Sequence, residues 1–210
     1  HDPVERFRAC LSHVEDHHDD ADCIVITGDL ADTGQAAEYK ILQDILSKSS
    51  LRGPQAPRLM IGNHDDRTTF QSVFSDTPRD DNGYVQYTEN TDAGRFVYLD
   101  TVGDHIREGR FDAVRLNWLE AELVRAEKDQ VGVWLFMHHN PIPMNVATND
   151  PIGLYDTPEL VDLLSDHQET VRHIFFGHSH YVLSGSVCGR GTRPRGRSFG
   201  HGPCFLRPGV

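Results

Sequence analysis

The sequence predicts an α/β fold in which short buried strands alternate with amphipathic helices. Four apolar runs of four to seven residues, rich in Val, Ile, Leu and Phe, have the composition of strands that are buried on both faces. Longer segments between them carry apolar residues at helical spacing. The four runs occupy residues 23–27, 58–61, 131–137 and 171–176.

Capping residues in the sequence indicate where the predicted helices begin. Asp2 is a suitable N-cap and Pro3 suits the first helical position. Asp112 is a second N-cap in front of a long amphipathic segment, and Thr157 opens a shorter one. The predicted helices cover residues 2–17, 35–48, 69–74, 112–128 and a segment that begins at residue 157.

Three further strands are predicted outside the four runs. The pattern predicts strands over residues 84–88 and 95–100, joined by a hairpin around residues 90–94. It also predicts one more strand over residues 181–187. With 210 residues the chain has room for one domain, which we place at residues 1–188.

Residues 189–210 differ from that domain in composition, with five Arg, six Gly, three Pro and no acidic residue. A segment so poor in apolar groups cannot offset its own ordering entropy. We expect a basic Gly/Arg/Pro-rich tail that is disordered or non-native. The alternative is a basic arm for an anionic partner.

Composition excludes several classes of protein. The net charge of −12 argues against a binder of duplex nucleic acid, which would carry a basic face. No apolar stretch approaches the roughly 18 residues of a membrane span. The four cysteines form no CxxC pair, so we expect reduced thiols and a cytoplasmic location. The chain opens on His1 rather than Met, and we expect that a segment precedes it.

Metal-binding residue types follow each of the four apolar runs, after one glycine in three of them. Sites in open α/β sheets form beyond the carboxyl ends of the strands, so we expect these side chains to converge. One carboxylate, one amide oxygen and three imidazoles suit borderline divalent metals. The candidate ligands are Asp29, Asn63, His138, His178 and His180.

Each motif alone is a weak signal of function. Gly28-Asp29 is a common turn dipeptide, and turn chemistry alone accounts for Asn63. In the pair His138-His139 one ring is often structural. His178 and His180 are two apart on an extended chain, which is a chelating arrangement. All four motifs in this order are much harder to obtain by chance.

The four motifs together resemble the signature blocks of the calcineurin-like metallophosphoesterases. Flanking segments narrow the resemblance to the bacterial class III cyclic-nucleotide phosphodiesterases and their glycerophosphodiesterase relatives. The blocks are Gly-Asp at 28–29, Gly-Asn-His-Asp at 62–65, His-x-Asn-Pro at 138–141 and Gly-His-x-His at 177–180. The flanking segments are residues 27–32, 65–67, 99–101, 116–119 and 137–141.

The resemblance implies a two-sheet α/β/β/α sandwich with a two-metal centre at the sheet ends. Asp29 would bridge both ions, which would be Mn, Fe, Zn or Co. Asn63, His138 and His178 would complete the shell of one ion, and His180 would bind the other. A bacterial cytoplasmic protein is implied as well.

The resemblance also implies two catalytic residues. His64 would be the proton or hydrogen-bond donor toward the leaving oxygen, and Asp65 its orienting partner. His138 is preferred over His139 as the ligand because one residue separates the ligand from the Asn in this block. His139 is the alternative ligand.

One block of the family has no counterpart before Asp29. The family's first strand ends on Asp-x-His, which supplies two ligands to the ion that His180 also binds. His1-Asp2 has the reverse order and opens a helix. We expect the first strand to lie upstream of His1, so one metal site is incomplete in this chain.

The sequence therefore predicts a metal-dependent hydrolase of a small phosphodiester, of the cyclic-nucleotide or glycerophosphodiester class. A hydroxide shared by two ions would attack phosphorus in line while His64 assists the leaving group. The alternative is a catalytically weak module that binds a metal ion or a nucleotide. A protein phosphatase is a third hypothesis. The expected partner is a small substrate, without duplex nucleic acid or membrane, and a homodimer is an open alternative.

Overall fold

A computed structural model describes residues 2–104, 106–143 and 153–180, together with the backbone of residues 199–200 and 204–205. Two β-sheets pack face to face, and helices cover the outer side of each sheet. The α/β/β/α sandwich expected from the sequence is confirmed. No helix in the described part of the chain combines the length and apolarity needed to cross a bilayer.

The helices lie where the sequence places them. Asp2 accepts a hydrogen bond from Val4 N (2.8 Å) and Asp112 accepts one from Arg115 N (3.1 Å), as expected of N-caps. The third helix begins two residues earlier than predicted because Asp66 caps it. The helices are α1 (Pro3–His17), α2 (Ala36–Lys48), α3 (Arg67–Val73), α4 (Ala113–Lys128) and α5 (Thr157–Asp166). Gly53–Gln55 forms a 3-10 turn.

Among the described residues, eight strands form the two sheets. The smaller sheet has the order β2-β1-β8, and the larger one β3-β4-β5-β6-β7. β1 and β2 run parallel, as do β4, β5 and β6, whereas β3 and β4 form an antiparallel hairpin. The strands are β1 (Ile24–Ile26), β2 (Arg58–Leu59), β3 (Tyr87–Thr91), β4 (Gly94–Tyr98), β5 (Val133–Met137), β6 (Val171–Phe176), β7 (Phe199–Gly200) and β8 (Cys204–Phe205).

Two of the strands come from the predicted tail. β7 pairs in parallel with β6, and β8 pairs antiparallel with β1. These four residues are all that is described of residues 189–210, so the prediction for the tail as a whole stays a prediction. The strand expected over residues 181–187 lies outside the described residues.

The hairpin strand β3 lies three residues later than predicted. Val85 N donates to the Asp100 carboxylate (3.0 Å) instead of to a neighbouring strand, so residues 84–86 stay outside the sheet. The turn closes at Gly94, whose φ of +131° is costly for other residues. Thr91 therefore pairs directly with Gly94.

A row of aromatic side chains crosses the larger sheet on the face that meets the smaller one. Tyr87, Tyr98, Phe136 and Phe175 come from four neighbouring strands, with successive ring centroids 4.5, 5.2 and 5.2 Å apart. Alternate residues such as Leu135 point to the opposite face, where α4 and α5 pack. The period of two along each strand therefore sorts side chains between the inner and outer cores.

Truncating the aromatic row should cost much stability. Phe136 is fully buried between the sheets, so Phe136→Ala should lower the free energy of unfolding by about 3–5 kcal/mol, the usual cost of a large core cavity. Ile41→Ala is the control, because Ile41 is 47% exposed on α2. Urea unfolding followed by circular dichroism measures both. A loss below about 1 kcal/mol for Phe136→Ala would contradict this packing.

Candidate metal centre

The carboxyl ends of β1, β2, β5 and β6 meet at one edge of the sandwich. Two glycines allow this approach. A Cβ on Gly28 would lie 2.5 Å from His138 Nδ1, and a Cβ on Gly62 would lie 2.6 Å from His138 Cε1. The loops that follow β1 and β2 therefore contact the His138 ring through the backbone of two glycines, where no side chain would fit. The convergence expected from the strand ends is present.

Four of the five candidate ligands bring donor atoms together. Asn63 Oδ1 lies 3.0 Å from His138 Nε2 and 2.8 Å from His178 Nδ1. The two ring nitrogens are 3.2 Å apart, and Asp29 Oδ1 is 3.3 Å from His138 Nε2. Two oxygens and two nitrogens from four separate loops thus share one small volume.

The His138 ring is held in the tautomer that a metal ligand needs. Its Nδ1 lies 2.8 Å from the carbonyl oxygen of Thr27, to which it donates, so Nε2 keeps its lone pair for the cluster. The ring is almost fully buried, and burial lowers its pKa although the Asp29 carboxylate acts to raise it. A neutral imidazole is the form that binds metal ions.

By distance alone, His139 belongs to the same cluster. The rings of His138, His139 and His178 are all buried, with a nitrogen of each within 4.8 Å of the others. Both nitrogens of His139 have other partners, however: Nδ1 lies 2.8 Å from Thr101 Oγ1, and Nε2 lies 3.2 Å from the Arg107 carbonyl oxygen. The His139 ring packs against the rings of His138 and His178. Because both of its nitrogens are engaged, His138 is favoured as the ligand.

Three of the candidate ligands have strained backbones. Asp29, His178 and His180 adopt φ values of +55°, +66° and +55°, in the left-handed region that side chains rarely enter. Such strain collects at functional sites. His180, the fifth candidate, is exposed at the end of the described segment 153–180.

His64 lies at the mouth of the cluster. Its backbone N donates to Asp29 Oδ1 (3.1 Å), and its ring Nδ1 lies 2.8 Å from the Asp32 carbonyl oxygen. The side chain is 40% exposed. Asp32 therefore orients the ring, a contact that the sequence reasoning did not assign.

Asp65 does not make the orienting contact that the sequence reasoning gave it. Its buried carboxylate accepts hydrogen bonds from the backbone N of Leu30, Ala31 and Gly62 at 2.7–3.1 Å. A fourth comes from the Tyr39 hydroxyl (3.0 Å). Burial raises the pKa of Asp65 to about 6, although these donors favour the carboxylate. Asp65 joins the loop carrying Asp29 to the loop carrying Asn63.

Tyr39 in α2 supports the site, although the sequence analysis gave it no role there. Its ring is fully buried, yet its hydroxyl donates to Asp65 and accepts from Asp66 N (2.9 Å). A buried tyrosine needs a partner for its hydroxyl, which is the signal that could have found it.

An open pocket of about 390 Å³ begins at the cluster. The lining contains Asn63, His64 and Arg67, and also Val102, Gly103, Asp104, Ile106 and Arg107. Thr33 and Thr68 contribute to the rim. Groups attached to a phosphate bound at the cluster can enter this space.

Comparisons with known proteins identify a family and several relatives. Residues 1–182 match the family described as calcineurin-like phosphoesterase. A probable cyclic nucleotide phosphodiesterase of Rhodopseudomonas palustris is 33% identical over 186 residues, which are 88% of this chain and 66% of that protein. A glycerophosphodiester phosphodiesterase of Enterobacter lignolyticus is 32% identical over 162 residues, 76% of this chain and 56% of that protein. The chain thus spans 66% of the length of the first relative and 56% of the length of the second.

Solved structures show the same fold at low sequence identity. A dimetal phosphatase from Danio rerio superposes with a TM-score of 0.68 at 18% identity. The superposition covers 94% of this chain and 76% of the phosphatase chain. A purple acid phosphatase from yellow lupin gives 0.66 at 12% identity, covering 97% of this chain and 41% of its own. With its family match over residues 1–182, the chain belongs to the calcineurin-like phosphoesterase family.

Proposed function

We propose that this chain carries the centre of a metal-dependent phosphodiester hydrolase. The observation that supports this best is the convergence of Asp29 Oδ1, Asn63 Oδ1, His138 Nε2 and His178 Nδ1, each within 2.8–3.3 Å of another member. Family membership implies divalent metals, and these four atoms are the donors that would hold one.

The donor set fits a divalent cation. With the His138 ring proton on Nδ1, neither His138 Nε2 nor Asn63 Oδ1 carries a hydrogen, although they lie 3.0 Å apart. A cation between two lone pairs removes their repulsion. Mixed oxygen and imidazole donors suit Mn, Fe, Zn or Co. Asp29 and His180 would contribute to a second ion.

Divalent ions at such a site neutralise the phosphoryl oxygens and lower the pKa of water, which supplies a nucleophile near neutral pH. The chain's own residues do the positioning. The Asp32 carbonyl fixes the His64 ring through Nδ1, so Nε2 is left for the substrate. As an imidazolium, His64 would give the Nε2 proton to the departing alkoxide.

The substrate is proposed to be a small phosphodiester. The relatives are described as acting on cyclic nucleotides or on glycerophosphodiesters, and the pocket beside His64 has room for an organic group of that size. The net charge of −12 disfavours a nucleic-acid duplex as substrate. A cytoplasmic location belongs to the same proposal, and a homodimer stays an open alternative.

Binding without turnover is the alternative function. It is favoured by the exposure of His180, which among the described candidates is the one assigned to the second ion alone. Counting ions separates the two possibilities, because the hydrolase needs two ions per chain, whereas a binder takes one or none.

The neighbouring histidines give a matched test of the ligand assignment. His138→Ala should lose at least one bound ion per chain, whereas His139→Gln should keep the wild-type content because both nitrogens of His139 bind protein groups. The measurement is elemental analysis of protein that has been stripped with chelator and reloaded with Mn²⁺. The opposite pattern would shift the ligand by one position.

Removing the proposed donor should affect turnover more than metal content. His64→Ala should lower kcat for 3′,5′-cyclic AMP, whose leaving group is an alkoxide, by about 10²–10⁴-fold, the usual contribution of a general acid, with the ion count unchanged. His13→Ala, an exposed histidine on α1, is the control. If ion content fell together with kcat, His64 would be a ligand.

Asp65 should act on the fold of the two ligand loops. Asp65→Asn should lower the unfolding free energy of metal-free protein by about 1–3 kcal/mol, because an amide group would face donors that now meet a carboxylate. Tyr39→Phe, which removes one of those bonds, should cost about 1 kcal/mol. Urea unfolding measures both. Unchanged stability with lost hydrolysis would instead support the catalytic role predicted from the sequence.

A further inference from the structure

Arg67 lies in the wall of the pocket and is held rigidly from behind. Its Nε and Nη2 donate to the two oxygens of Asp100 at 2.7 and 3.0 Å, and Nη2 also donates to the Val102 carbonyl oxygen (3.0 Å). The Tyr84 ring lies 5.0 Å from the guanidinium carbon. A bidentate pair with an aromatic neighbour fixes the plane of the guanidinium before any substrate arrives.

Asp100 is a fixed point for this arrangement. Its side chain is completely buried and accepts two backbone hydrogen bonds, from Val85 N and Val102 N, at 3.0 Å each. Arg115 lies 3.9 Å away on the other side of the carboxylate and 4.6 Å from the same Tyr84 ring. Two guanidinium groups therefore share one buried carboxylate, and each also pairs with a more exposed one, Arg67 with Asp104 and Arg115 with Asp112.

The remaining amino group of Arg67 has a weak partner. Nη1 donates to Asp104 Oδ1 at 3.1 Å, and the Asp104 side chain is 84% exposed. An exposed ion pair contributes little because solvent screens it. Another acceptor can replace Asp104 at small cost, whereas the bonds to Asp100 stay.

The position of this amino group matches a role in specificity. The pocket that contains Asn63 and His64 also contains Arg67 and Asp104, so a substrate whose phosphate lies at the donor cluster extends toward Nη1. Arg107 is the other cationic residue of the lining, and Val102 and Ile106 supply apolar surface.

We propose that Arg67 is a substrate-binding residue that selects phosphodiesters whose organic group carries a hydrogen-bond acceptor, with Asp104 as the group that the acceptor displaces. This rests on the proposed function, since the phosphate must occupy the donor cluster. Alkyl groups without an acceptor would leave the Arg67–Asp104 pair intact and gain nothing from it.

A matched pair of phosphate monoesters tests the inference by binding alone. Propyl phosphate and 2-carboxyethyl phosphate have the same phosphate and similar length, but only the second has a terminal acceptor. Calorimetric titration of the Mn²⁺-loaded chain should give about tenfold tighter binding of 2-carboxyethyl phosphate, the effect expected of one charge-assisted hydrogen bond. Arg67→Lys, which keeps a positive charge beside Asp100, should remove most of that preference.

Asp104→Asn keeps the size of the side chain and removes the competing charge. It should strengthen the preference by about threefold, the range expected for an exposed pair, and Asp92→Asn in the β3–β4 turn is the charge-matched control. Thermal unfolding checks that Arg67→Lys is folded. Equal affinities for the two esters in wild type, or a preference that survives Arg67→Lys, would overturn the inference. Hydrolysis of bis(4-nitrophenyl) phosphate by the wild type reports separately on the proposed function.

Discussion

The candidate centre depends on one buried carboxylate that is not itself a candidate ligand. Asp65 accepts hydrogen bonds from the backbone on both sides of the gap between the loops after β1 and β2, and from the hydroxyl of Tyr39 in α2. Asp29 and Asn63 have their positions because these loops are joined at this point. A buried carboxylate with four donors is well satisfied, and losing one donor would leave part of its acceptor capacity unmet, at a cost of about 1 kcal/mol.

Contact between the two sheets completes the arrangement. The smaller sheet supplies Asp29 and Asn63, and the larger one supplies His138 and His178. The His138–Thr27 hydrogen bond and the close approach of Gly28 and Gly62 bring the two edges into register. The aromatic row behind them packs the sheets together, so the inner core and the donor cluster are parts of one interface.

Sequence reasoning recovered the elements whose signals are local. N-caps at Asp2 and Asp112, apolar runs of strand length and polar residues directly after them predicted the helices, the strands and the converging donors. The shift of β3 could not be foreseen, because it depends on the Asp100 carboxylate binding Val85 N across 15 residues. The roles of Asp65 and His139 were likewise set by partners distant in sequence. Residue type says that a side chain can bind something, whereas only the fold says which partner is within reach.

The burial of Asp100 has a consequence for how substitutions act over distance. Arg115 in the first turn of α4 binds the carbonyl oxygens of Asp100 and Val102, and it faces the same tyrosine ring as Arg67. The start of α4 is thereby joined to the lining of the cavity beside the donor cluster, although Arg115 does not border that cavity. A substitution at the start of α4, on the outer surface of the sandwich, can therefore alter which substrates the cavity accepts. The metal-binding residues at the edge of the sheets would stay unchanged.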